Sequence, residues 1–175
     1  MKNDSKERYG SVSRWLHWGM AVLIVWQMLK FFDRIDDGEH WVGQTLVSWH
    51  VSIGALLLLL IALRLLWALS QRGQRPEQDP ATALLVHAGH GLLYLGMVLM
   101  PITGIMIMLG NGYGLTVFGI ELVAGGGEGI GWMASVGGAL HSPIAWLLLI
   151  MVLGHIGMAL LHHFVKKDDV LRRML

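Results

Sequence analysis

Residues 140–164 read LHSPIAWLLLIMVLGHIGMALLHHF, a run without Asp, Glu, Lys or Arg. A helix rises about 1.5 Å per residue, so about 20 apolar residues cross a bilayer core of roughly 30 Å. This run is long enough. In hydrocarbon its backbone N–H and C=O groups must find partners inside the segment, which a helix provides. The same run carries His141 and His155. At 100° per residue they share one helix face to within about 40°, with a rise of about 21 Å between them. An imidazole at membrane depth is costly and marks a site. One segment thus specifies a membrane helix and a face bearing histidines at two depths.

Three more stretches have the same character: about 15–32, about 45–69 with LLLLLIALRLLWAL, and about 83–109. Composition agrees, since 54% of residues are hydrophobic and only 14% charged, which is too apolar for a soluble domain of this size. The expectation is an all-α fold, a single transmembrane domain over 1–175 built as a four-helix bundle in a lipid bilayer. The N-terminal stretch MKNDSKERYGSVSRW has no apolar core before a small-residue cleavage site, so no removable leader is expected. Cysteine is absent, which excludes disulfides, iron–sulfur clusters and thiolate-ligated haem. A net charge of +1 gives no reason to expect a nucleic-acid partner.

Lys and Arg are unevenly distributed. Lys2, Lys6, Arg8 and Arg14 precede the first span, Arg72 and Arg75 join the second to the third, and Lys166, Lys167, Arg172 and Arg173 follow the fourth. The opposite side has Lys30 and Arg34 alone. The positive-inside rule therefore places both termini in the cytoplasm. Of the outer connections, the first is short and acidic. The second, about 110–138, is long and glycine-rich, and is expected to form a cap on the outer surface with room for one short helix.

Six histidines fall within or at the edge of a span: His17, His50, His87, His90, His141 and His155. A single one could be hydrogen-bonded across the bundle. So many, with no carboxylate inside the spans, fit ligands better, and neutral imidazole ligates haem iron. Depth pairs them: His17 with His155 in the inner half, His50 with His141 in the outer half. One turn after each lies a small residue, Ala21, Gly54, Ala159 and Ala145 respectively for His17, His50, His155 and His141. This leaves flat space for a macrocycle on the ligand's face. His90, the rival to His17, is followed by Tyr94, and His87 lies nearer the membrane edge, so neither is expected to ligate iron. Arg14, one turn before His17, and Arg64, on the His50 face at inner depth, are candidates to neutralise haem propionates, or to snorkel to headgroups. His90, His162 and Arg14 outline either a polar pocket beside the inner haem or a solvated interfacial cluster. Trp15, Trp18, Trp41, Trp49, Trp67 and Trp132 near the span ends read as an aromatic belt.

The segments YGSVSRWLHW, WHVSIG, HAGHGLLYLGMVLMPITG and the last span ending HHFVKKDDVLRRM resemble the bacterial cytochrome b561 family, small dihaem cytochromes of the inner membrane. The resemblance covers nearly the whole chain. It implies two haem b groups held by His17, His50, His141 and His155, with ubiquinone as electron acceptor. It makes His162 and His90 quinone-site candidates. It also implies an activity like that of superoxide oxidases, which take an electron from superoxide at the periplasmic face. The function expected is therefore oxidoreductase electron transfer from a periplasmic one-electron donor, superoxide, to ubiquinone. The alternative is a membrane haem b subunit of a multi-subunit dehydrogenase or reductase, working with a redox partner subunit or as a homo-oligomer. An anionic donor would be steered by positive charge. The long outer loop offers Glu121 and Glu128, leaving Lys30, Arg34 and His40 for that task.

Overall fold

The computed structural model describes residues 2–35, 41–77 and 79–175, with the backbone alone for 33–35. Four helical runs are long and apolar enough to cross a membrane: Ser11–Phe32, Trp41–Ser70, Ala83–Gly110 and Gly131–Lys166. In order, the helices are α1 (Ser11–Met28), α2 (Lys30–Ile35), α3 (Trp41–Thr45), α4 (His50–Ser70), α5 (Ala83–Gly110) and α6 (Gly131–Leu161). A 3₁₀ turn over Val47–Trp49 leads into α4, and a π-helical turn over His162–Lys166 extends α6. Lys167, at positive φ (55°), ends that turn.

Ile53, Leu57 and Ile61 recur at four-residue spacing on α4 and meet Met20 of α1 in the buried centre. Tyr94, Met97 and Val98 of α5 pack against them. Large side chains such as Val22, Leu59, Leu66, Leu95 and Ile150 point outward, as they must where the surroundings are lipid. Lipid tails are as apolar as leucine, so close packing rather than exclusion from water holds these helices together.

The α5–α6 pair shows how close that packing is. A Cβ on Gly110 would lie 2.2 Å from the Ala134 nitrogen, and one on Gly137 would lie 2.9 Å from the Thr103 carbonyl oxygen. This corrects the sequence reading of the outer connection. The fourth helix begins at Gly131, not near 140, because Gly137 and its small neighbours serve a helix contact rather than a flexible loop. The cap contains a hairpin and not a short helix. β1 (Leu115–Val117) pairs antiparallel with β2 (Ile120–Val123). Its turn residues Phe118 and Gly119 both have positive φ, 49° and 81°, the turn handedness that suits strand twist. The Phe118 N–H donates to Ser52 Oγ at 2.9 Å and its ring lies 6.0 Å from that of Trp49, so the hairpin rests on the start of α4.

At the other end of the bundle both chain termini meet. Asp4 is buried and accepts from the Gly10 N–H (2.8 Å), the Ser13 hydroxyl (2.6 Å) and Arg75 Nε (3.2 Å). Trp67 Nε1 donates to the Ser13 hydroxyl at 2.9 Å. The Tyr9 N–H donates to the Arg173 carbonyl at 3.1 Å, and Trp18 Nε1 to the Met174 carbonyl at 2.9 Å.

Candidate functional site

The start of α4 and the third turn of α6 bring His50 and His141 together, with ring centroids 6.1 Å apart and planes at 79°. Deeper in the bundle α1 brings His17 beside His155 of α6, with centroids 6.2 Å apart and planes at 61°. A metal–imidazole bond is about 2 Å and a ring nitrogen lies about 1 Å from its centroid, so two imidazoles sharing one iron sit about 6 Å apart. Both pairs match that spacing. His90 also approaches His155, at 5.5 Å between centroids. His87 is exposed, and its Nδ1 lies 2.5 Å from the Ala83 carbonyl oxygen.

The outer pair borders a cavity of about 340 Å³ whose lining includes His50, Gly54, Gly104, His141 and Ala145. Two observations fit it to a flat, partly polar ligand. Gly54 and Gly104 keep it open: a Cβ on Gly104 would lie 3.2 Å from His141 Cε1, and one on Gly54 3.2 Å from Gln27 Nε2. Gln27 donates from Nε2 to the His50 carbonyl at 2.9 Å, while its Oε1 is buried without a hydrogen-bond partner among the described residues. Lys30 also lines this cavity, placing one of the expected cations at the outer histidines. The Arg34 side chain and His40 lie outside the described residues.

Thr103 of α5 was missed by the sequence reading. Its Oγ1 lies 2.9 Å from His141 Nδ1 and 2.9 Å from the carbonyl oxygens of Leu99 and Met100. A threonine inside a helix ordinarily bonds its own preceding turn. The contact to His141 depends on the α5–α6 register, which no local pattern encodes. Gln27 left no sequence signal either.

Around the inner pair, Arg64 Nη2 donates to His17 Nδ1 at 3.0 Å, and the guanidinium lies over the Tyr94 ring at 5.6 Å. Arg64 is thus at the depth expected. Arg14 Nη1 donates to the Leu175 carbonyl, and its Nε is buried without a partner among the described residues. His162 Nδ1 meets Asp168 Oδ2 at 2.5 Å, and Lys166 Nζ lies 3.4 Å from His162 Nε2. A lysine ammonium is only a donor, so Nε2 accepts and Nδ1 carries the proton given to Asp168. That hydrogen bond holds the Asp168 carboxyl below its usual range.

Comparison with known proteins agrees with this architecture. The family described as prokaryotic cytochrome b561 matches residues 8–175. The chain is 36% identical to cytochrome b561 homolog 2 of Escherichia coli (strain K12), over 98% of its own length and 93% of the relative's. It is 27% identical to the probable superoxide oxidase CybB of Yersinia pestis, over 97% and 96% of the two chains. The chain therefore belongs to the prokaryotic cytochrome b561 family, as a multi-pass protein of the bacterial inner membrane whose family membership implies haem b.

Proposed function

We propose that this chain is a dihaem oxidoreductase that carries single electrons from superoxide at its outer face to ubiquinone at its inner face, with both termini in the cytoplasm. The observation that supports it most is the single face of α6. His141 and His155 stand there at two depths, each with a partner imidazole at iron-bridging spacing from another helix. Haem b, when bound, supplies a one-electron ferric/ferrous couple. The rest is contributed by the chain.

His50 and His141 would hold the outer group, and His17 and His155 the inner one. As a ligand through Nε2, His17 would keep its proton on Nδ1, which Arg64 cannot accept. Arg64 would then pair with a propionate, as Arg14 could by turning from Leu175. Lys30 at the outer cavity offers local positive charge to an anionic donor. The apolar bundle would exclude water from the two groups and hold their ligands at fixed positions. The overall chemistry balances as two superoxide anions giving two O₂, with two electrons and two cytoplasmic protons converting ubiquinone to ubiquinol. His162, hydrogen-bonded to Asp168 and Lys166, would pass such protons, with His90 the nearer alternative to the inner pair. Likeness to a relative named a probable superoxide oxidase also supports the donor.

The test is a purified sample given superoxide and a ubiquinone analogue. Ubiquinol should form faster than with quinone and superoxide alone, and a pyridine haemochrome assay should count two haems per chain. Equal rates would remove superoxide as donor. One haem per chain would remove the two-pair wiring.

A further inference from the structure

We infer that Thr103 is the positioning residue of the outer pair: it takes the Nδ1 proton of His141 and so leaves Nε2 as that ring's free lone pair. The inference rests on the haem reading above and concerns what orients one of its ligands.

The assignment follows from counting protons. Thr103 is 3% exposed, so its hydroxyl has no water to turn to. That hydroxyl has one proton and two lone pairs. The carbonyl oxygens of Leu99 and Met100, each at 2.9 Å, can only accept, and they take the proton. His141 Nδ1, also at 2.9 Å, then faces a lone pair, and the Met100 carbonyl that the same ring reaches can only accept too, so Nδ1 is the nitrogen that carries the proton. In a neutral imidazole the second nitrogen is unprotonated, and that is the form an iron ligand needs.

Backbone contacts fix Thr103 in turn. The carbonyl oxygen of Thr103 is so near Gly137 that any Cβ there would lie 2.9 Å away. Gly137 is one helical turn before His141, so the same close approach sets both the helix spacing and the reach from hydroxyl to ring. Gly104, next to Thr103, bounds the ring's edge, with its would-be Cβ 3.2 Å from Cε1. The ring is thus held at its Nδ1 by a hydrogen bond and at its edge by a glycine wall. The inner pair is built otherwise. His17 Nδ1 faces Arg64, a donor, so Thr103 should act on one cofactor and not on both.

A hydrogen bond from Nδ1–H to an oxygen makes the imidazole a stronger electron donor and stabilises ferric iron. Removing it should raise the potential of the outer group. The purified, haem-loaded full chain and its Thr103→Val and Thr103→Ser variants are titrated potentiometrically, and the ferric low-spin EPR spectra are recorded. Thr103→Val should shift one midpoint potential to more positive values and leave the other in place. It should also change one of the two EPR signals, since the 79° angle between the His50 and His141 planes is no longer enforced. Thr103→Ser should match the parent. Loss of one haem in Thr103→Val but not in Thr103→Ser supports the same conclusion, and if Thr103→Val does not accumulate, Thr103→Ala is read in the same way.

Unchanged potentials and spectra in Thr103→Val would overturn the inference. So would an equal shift of both potentials, or a Ser variant that behaves like Val. His141→Ala separates this from the underlying reading. If that variant keeps two haems, the ligand assignment has failed. If it keeps one and Thr103→Val is silent, only the role of Thr103 has failed.

Discussion

At the scale of single residues, the proposed wiring makes unequal demands on histidines that look alike. His141→Ala and His155→Ala should each lower haem content from two per chain to one, whereas His90→Ala should leave two, all read by the pyridine haemochrome assay. Tyr94, one turn after His90 where the four expected ligands have alanine or glycine, is the reason for the difference. The tail after α6 answers to pH through Asp168. The folded carboxyl titrates below its ordinary range, so its contribution to holding the tail is complete above that range and is lost as pH falls through the lowered value. Below it the Val170 amide, which donates to Asp168 Oδ1 at 3.1 Å, should move to a disordered chemical shift by NMR. The four histidines expected as ligands were legible because an imidazole stands out in an apolar run, and because depth can be counted from the span ends. Thr103, Gln27 and Asp168 were not. Each acts through a partner on another element or across a chain reversal, and each is an ordinary residue where it stands.

At the scale of elements, α6 is the informative case. Its apolar middle was easy to find, but its first turns, GWMASVGG, looked like a glycine-rich loop. Glycine lowers helix propensity in water, yet between membrane helices it permits close backbone approach. Gly137→Leu should therefore drive α6 away from Thr103. It should cost about 1–3 kcal/mol through overpacking, seen as a lower unfolding midpoint in detergent, together with loss of the outer haem before the inner. The hairpin was also hidden, since three- and four-residue strands leave little alternation to read. It rests on α4 through one side-chain hydrogen bond. Ser52→Ala should cost about 1 kcal/mol locally and speed hydrogen exchange at the Phe118 amide, with the core amides of α4 unaffected.

At the scale of the whole molecule, four spans, their order and a bundle were legible from hydropathy alone, because lipid leaves helices as the solution for such segments. The clasp at the terminal end was not, being made of polar residues far apart in sequence. Asp4 is its hub, with its side chain fully buried while that of Arg75 is 33% exposed. In Asp4→Ala, Arg75 can turn to water, but the Gly10 N–H and the Ser13 hydroxyl lose a charged acceptor. The expected loss is about 2–3 kcal/mol, measured as a lower midpoint of thermal unfolding by tryptophan fluorescence.

The Tyr9–Arg173 bond carries a consequence for biogenesis. During translation the helix after Tyr9 inserts long before residue 173 leaves the ribosome, so its base waits half-finished until Arg173 emerges. A nascent chain stalled after three spans would present that unsealed base to quality-control proteases, and a chain that has reached Arg173 would be spared.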